Sequence, residues 1–294
     1  MKTFYRAVGE KEFVLTAELP LKPNMSAVEI TTEAQSLFVN VDGVVLTDNQ
    51  YGLTHMSTSA AASLLLGSGV DPIVQLSCRN RNRIALVSEL LGLQALGVSS
   101  VMLIEGARVP KGFEPRPTAV LDMNAKELIA TAKLMNEDEK LTGNKFLIVT
   151  SGTAHNPQPG WEPKELLAKA DAGAQVVISQ LCFDTDILKR YMSFLGSKKM
   201  THRVQFIVSL ATLPSAGIAT FLRDNRRRAL IPPVVIKRLE QSSDPEAEGV
   251  LICGELLQSY SEIPGISGVN LMTLGATDTI GAAISASGVR SEQG

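Results

Sequence analysis

Eight short apolar runs, spaced so that one helix fits between each neighbouring pair, constrain the fold more than any other feature of the sequence. They are "EFVLTAEL" (12–19), "GVVLTD" (43–48), "PIVQLSC" (72–78), "SVMLIEG" (100–106), "KFLIVTSG" (145–152), "QVVISQLCF" (175–183), "VQFIVSLATL" (204–213) and "GVNLMTLG" (268–275). Most are continuously apolar and rich in Val and Ile, as expected of parallel strands covered on both faces. Segments with 3.6-residue patterning lie between them, for example 83–97, 124–136, 163–173 and 185–196. Two of these end at Gly97 and Gly173, and a strand begins within a few residues of each. Eight strands with seven helical segments and no compositional break predict an α/β fold, a single (β/α)8 barrel of the TIM type over residues 1–294. An open doubly wound sheet would need a glycine-rich turn after the first strand, and "ELPLKPN" has none.

Two segments decorate this plan. Residues 107–123 are Pro-rich and follow the fourth strand, on the face where barrel active sites form. Residues 226–263 insert an extra helix, within "VLICGELLQSYSEI", before the last strand.

Charge and cysteine usage exclude several classes of function. A formal net charge of −2 over 294 residues gives no electrostatic case for nucleic acid or an anionic membrane. The three cysteines, Cys78, Cys182 and Cys253, form no CxxC pair, which argues against a disulfide framework or structural zinc and for a reducing compartment. "MKTFYRAVGEKEF" has no apolar core of a signal peptide, and "AAASLLLGSG" is too short to cross a bilayer and reads as a packed helix. The expectation is a cytoplasmic protein without membrane or nucleic-acid partners. No HxH or HxxxH spacing supports a metal site, and no G-x-S-x-G provides a serine nucleophile.

The βα loops of a barrel gather at the C-terminal ends of its strands, so those ends carry the candidates. They are Glu18, Thr47 with Asp48, Gln75 with Ser77, Glu105 with Gly106, His155 just past the fifth strand, and Gln180. Glu18 leads them: a partly desolvated carboxyl group beside Leu19 and Pro20 could move a proton near neutral pH, and its alternative role is an ion pair with a neighbouring Lys or Arg. Arg79, Arg81 and Arg83 stand at a helix start, where cations oppose the helix dipole; an anionic ligand or simple solvation would account for them. Arg226, Arg227 and Arg228 follow a helix, where the dipole favours cations, and read as structural.

At these strand ends the chain resembles methylenetetrahydrofolate reductases, particularly a short bacterial branch. "TAELPLKPN" resembles the first-strand motif of that family, "QLSCRNRNRIALVSELLGLQALGV" its third strand and helix, and "DAGAQVVISQLCFD" its Asp-Ala-Gly-Ala…Gln…Asp run; "IPP" (231–233) and "GVNLMTLG" match later landmarks in order. The resemblance implies a barrel that binds FAD and passes a hydride between NADH or NADPH and folate, interconverting 5,10-methylene- and 5-methyltetrahydrofolate. It also implies homo-oligomers, which the family often forms. Glu18 would be the general acid and Gln180 would hydrogen-bond the pterin; Thr47, Gly106, His155 and Lys169 would line the flavin. The other strand-end candidates divide accordingly, Asp48, Ser77 and Glu105 to the folate side, Gln75 and Arg79 to the cofactor side.

Departures from the family pattern concentrate after the fourth strand. Where the family ends in Arg/Thr-Gly-Asp, this chain has Glu105-Gly106-Ala107, and the aromatic pair after Gln180 is Leu181-Cys182. Loss of that Asp removes a negative charge from beside the flavin. Three readings therefore stand: a folate-dependent oxidoreductase, a flavin-independent tetrahydrofolate-dependent methyltransferase or demethylase, and a non-catalytic partner of an active reductase.

Overall fold

The apolar runs form eight parallel strands that pair in sequence order, and the last closes back onto the first. This closed barrel is seen in a computed structural model that describes residues 3–106, 117–141, 143–226 and 228–290. Ala107 and most of the segment 107–123 lie outside the described residues.

The chain enters through helix α1 (Phe4–Glu10), then strand β1 (Val14–Leu19), α2 (Ala27–Phe38), β2 (Gly43–Leu46), α3 (Thr58–Gly67) and β3 (Pro72–Ser77). It continues through α4 (Arg83–Leu96), β4 (Ser100–Ile104), α5 (Ala125–Glu137), β5 (Leu147–Gly152), α6 (Lys164–Ala172) and β6 (Val176–Leu181). The last part is α7 (Thr185–Ser197), β7 (Gln205–Thr212), α8 (Ala216–Asn225), α9 (Pro233–Gln241), α10 (Pro245–Ser261), β8 (Ile266–Thr273) and α11 (Asp278–Ser287). The stretch "AAASLLLGSG" falls largely in α3, and among the described residues no helix is long and apolar enough to cross a membrane.

Local chemistry sets the element boundaries. Ser26 and Glu29 form a reciprocal capping box at the start of α2, as do Asn124 and Glu127 at the start of α5. Gly97 and Gly173 end α4 and α6 with positive φ, as the sequence indicates. Between α8 and β8 the chain makes α9 and α10 in succession, and Leu230 in the link to α9 bridges in parallel to Cys182. Two backbone bonds clamp that link to the end of β6: Leu230 N–H to Leu181 O at 2.8 Å and Phe183 N–H to Leu230 O at 2.7 Å.

Two apolar layers hold the fold together. The larger lies between strands and helices and includes Leu15, Leu46, Leu76, Leu103, Phe206, Leu257 and Tyr260. The smaller fills the barrel interior, where Val14, Val45, Ile73, Met102, Val149, Val176, Ile178 and Ile207 point inward from successive strands. Helix α1 plugs the N-terminal end of this interior with Phe4, Ala7 and Val8. Gly43 permits that approach, because a Cβ there would stand 2.9 Å from Cβ of Phe4. Polar side chains inside the barrel are therefore displaced toward the opposite end.

Candidate active site

Glu18 is the fifth residue of β1, and alternation with Val14 and Thr16 turns it inward at the C-terminal mouth. It is only 7% exposed and held from three directions. Nη2 of Arg226 donates to both carboxylate oxygens, at 3.0 Å to Oε1 and 3.3 Å to Oε2. Asn270 Nδ2 donates to Oε1 at 3.1 Å, while Gln50 Nε2 lies 3.5 Å from Oε2. Asn270 is fixed in turn by Thr16, whose hydroxyl donates to its Oδ1 at 2.8 Å, and by its own donation to Ser209 Oγ at 3.2 Å. Three adjacent strands of the barrel wall, β7, β8 and β1, thus share a connected polar network.

Arg226 adds a distant partner to the local reading of the arginine run, and supplies the ion pair that is the alternative role of Glu18. The helix-end position is observed, since Arg226 caps α8, but its side chain turns into the mouth against Glu18 and the Met272 sulfur. Arg228 lines a separate cleft, and Arg227 lies outside the described residues.

On the β2–β3 side the polar groups serve one another. Asp48 is buried and accepts from both the backbone amide and the hydroxyl of Ser77, each at 2.8 Å, and from Arg81 Nη1 at 2.7 Å. Arg83 pairs with Asp122, so two members of the "RNRNR" stretch are met by protein carboxylates. Arg79 is buried and donates to Asn49 O at 3.0 Å and Asn80 Oδ1 at 2.8 Å. Thr47 is buried beside this network, and Gln75 is half-buried on β3 in the inward register of Ile73. Gly106 has φ +93°, and a Cβ there would stand 2.8 Å from Cβ of Arg79, so both conformation and space require glycine. Glu105 beside it is exposed; burial, and then the Glu105 charge, push the Cys78 thiol up to about 11.

A cleft of about 340 Å³ opens where the β5 and β6 loops meet. His155, Lys169 and Gln180 line it together, joined by Trp161, Tyr191 and Arg228. The aromatic wall is packed edge-on: His155 lies 4.3 Å from Trp161 and 5.0 Å from Tyr191 between ring centroids. Burial raises the Tyr191 phenol above its ordinary value, so it is a neutral hydroxyl at physiological pH. Lys169 reaches from α6 to donate to Ser151 O at 2.8 Å and pairs with Glu165 at 2.9 Å. Gln180 follows Val176 and Ile178 in the inward alternation of β6, and the β6–β7 register slips by one residue between Ile178 and Leu181.

The structure thus brings three of the sequence candidates to one cleft and places Glu18 in the polar wall of the same mouth. Thr47, Asp48, Gln75, Ser77 and Arg79 form the opposite rim. Sequence reasoning missed Arg226, Asn270 and Gln50 as partners of Glu18, and Trp161 and Tyr191 as cleft walls. Among the described residues, no group of three His, Cys, Asp or Glu side chains could hold a metal ion.

A family profile for methylenetetrahydrofolate reductase matches residues 7–288, nearly the whole barrel. The chain belongs to the methylenetetrahydrofolate reductase family. A curated relative, a probable methylenetetrahydrofolate reductase (NADPH) of Caenorhabditis elegans, is 30% identical over 177 residues, which is 58% of this chain but only 25% of that protein. Among solved structures, a Clostridium thermocellum protein that binds two copies of 5-methyl-5,6,7,8-tetrahydrofolic acid superposes with a TM-score of 0.63 at 14% identity, covering 96% of each chain. A 2,3-dimethylmalate lyase superposes at 0.51 with 11% identity, over 96% of this chain and 82% of its own. Both likenesses speak for the barrel alone. Within the methylenetetrahydrofolate reductase family, the match spans the segments that hold Glu18, Gln180 and Lys169.

Proposed function

We propose that this family member is a folate-dependent oxidoreductase that interconverts 5,10-methylene- and 5-methyltetrahydrofolate. The observation that carries the reading is Glu18, a nearly buried carboxylate in a polar wall at the mouth of a family barrel, with its geometry fixed by Arg226 and Asn270. In the reducing direction Glu18 gives a proton to N10 of the folate, and the bond from the one-carbon unit to N10 breaks with its electron pair passing to that nitrogen. The resulting iminium carbon takes up a hydride that originates on reduced nicotinamide, which leaves as NAD(P)+. Glu18 recovers its proton from water, so the sum is one hydride and one proton added. Gln180, which lines the cleft near the end of β6, hydrogen-bonds the pterin edge and fixes which carbon faces the hydride source.

The cleft's donor set fits the ring-bearing end of a flavin, with aromatic side chains and the cations Lys164, Lys169 and Arg228 along one hollow. His155 and Lys169 would hold it there, with Thr47, Gln75, Gly106 and Arg79 on the opposite rim. Bound flavin supplies a two-electron relay between nicotinamide and folate. Lys169, already paired with Glu165, would contribute a cation to that site.

The test combines the visible spectrum of the purified protein with assays of NADH and NADPH oxidation in the presence of 5,10-methylenetetrahydrofolate. Turnover with either nicotinamide supports the reading, and flavin absorption bleached by that nicotinamide adds the cofactor. A colourless protein that binds tetrahydrofolate but moves no hydride replaces it with folate-dependent methyl transfer. Absence of folate binding leaves only a non-catalytic partner subunit.

A further inference from the structure

We infer that Arg226 is a positioning residue for Glu18: it anchors one carboxylate oxygen and stabilises the negative charge that appears when the proton leaves the other. The inference rests on the proposed proton-transfer role of Glu18. Its basis is the unequal treatment of the two oxygens. Oε1 receives two short bonds, from Arg226 at 3.0 Å and Asn270 at 3.1 Å. Oε2 receives longer approaches, from Arg226 at 3.3 Å and Gln50 at 3.5 Å. Oε1 is therefore the fixed oxygen and Oε2 the working one, free to carry a proton toward a substrate in the mouth.

The surroundings make this pairing consequential. The side chains of Glu18 and Arg226 are 9% and 14% exposed, so water screens their attraction little. Arg226 is the charged partner recorded against Glu18; the other neighbours, Asn270 and Gln50, are neutral and come from β8 and the β2 loop. An arginine in this position favours the ionised carboxylate. As the proton leaves Glu18, the guanidinium meets the negative charge that develops on the carboxylate, which is differential stabilisation of the transition state.

Arg226 is also mounted to do this. It leaves the end of α8 on a short link whose far end is clamped at Leu230 to β6, the strand that carries Gln180. One strap thus positions the counter-ion of the acid and touches the strand end of the pterin ligand.

Two variants, R226Q and R226K, test the inference with two readouts. In the first, the protein without folate is labelled with 13C at glutamate carboxyl carbons, and the Glu18 resonance, assigned by its loss in E18Q, is titrated. R226Q should move its midpoint upward by about one pH unit or more, as expected when an arginine leaves a carboxylate. R226K should stay close to the parent, and it keeps the experiment informative if R226Q folds poorly. In the second, turnover of 5,10-methylenetetrahydrofolate should show kcat reduced about 10–100-fold in R226Q with KM changed less than about threefold, and the high-pH limb of kcat/KM shifted upward. R226K should recover most of that rate. An unmoved Glu18 midpoint in R226Q overturns the inference, as does a loss confined to KM. If the parent protein turns over no folate, the functional reading fails on its own, and the titration still decides whether Arg226 governs Glu18.

Discussion

Each end of the barrel buries a pair of carboxylates, and Glu18 at the mouth differs from the other three in its partners. At the N-terminal end Asp42 and Asp71 are 0% and 1% exposed and bind backbone amides, Leu15 N–H at 2.9 Å and Phe4 N–H at 2.7 Å. Their role is to pin chain segments together: Asp42 also holds Lys11 and Arg290, and Asp71 joins α1 to Ser99 ahead of β4. At the mouth Glu18 is held by side chains, Arg226, Asn270 and Gln50, while Asp48 adds Arg81 to the amide and hydroxyl of Ser77. A backbone amide cannot leave without unfolding its segment, whereas a guanidinium on a loop can change partner. The contrast matches the barrel rule that the N-terminal end serves stability and the C-terminal end chemistry.

Removing the carboxylate at the mouth should separate these roles most sharply. E18Q keeps volume and can still accept from Arg226, but it has no proton to give. Turnover should fall about 10²–10⁴-fold, the usual worth of a general acid, and the melting temperature should fall as well because the largely buried Arg226 loses its charged partner. Rates measured alongside a thermal melt check both halves. Activity within tenfold of the parent would mean that the proton comes from elsewhere.

The matching lesion at the other end is F4A. Phe4 is fully buried in the interior cluster with Val14, Val45 and Ile73, and its loss opens a cavity under the strands. We expect a loss of about 3–5 kcal/mol in unfolding free energy, measured by urea titration, with kcat unchanged below the transition. A large drop in kcat at unchanged stability would break the division of labour between the ends.

Much of this division is legible in the sequence, and the illegible part has a common cause. The eight strands announce themselves because parallel strands buried on both faces must be apolar throughout. Gly97 and Gly173 mark helix ends because positive φ favours glycine over other residues. Glu18 stands out as a carboxylate ending an apolar run. Arg226 does not, because its contact with Glu18 spans 208 residues and exists only once the barrel closes β8 against β1. Its position after a helix has a sufficient local explanation, which hides the distant one. Helix α1 escapes for a different reason: seven residues with exposed Tyr5 and Arg6 give too short a pattern, and its burial comes wholly from the strands it plugs. The register slip between Ile178 and Leu181 has no side-chain pattern to announce it.

The smallest of the expected effects probes the two buried aspartates against each other. Burial pushes the Asp71 carboxyl up to about 6, against 3.8 for a free side chain, and its bonds from Phe4 and Ser99 offset that only in part. Asp42, equally buried, is held below its ordinary value because the Lys11 and Leu15 bonds and the charge of Arg290 outweigh burial. The signs differ. Between pH 3.8 and about 6 the folded protein keeps a proton on Asp71 that the unfolded chain has lost, so this group's contribution is full below pH 3.8 and declines as pH rises through 6. Asp42 contributes above its unfolded value and loses that contribution only as pH falls through its lower folded value, outside this window. D71N removes the titration while its amide oxygen can still accept from Phe4. Relative to the parent, the variant should therefore gain on the order of 2–3 kcal/mol between pH 4 and pH 7, read from urea unfolding at both values. An equal stability difference at the two pH values would show that Asp71 does not titrate in this window. The contrast between the two ends would then rest on the identity of the partners alone.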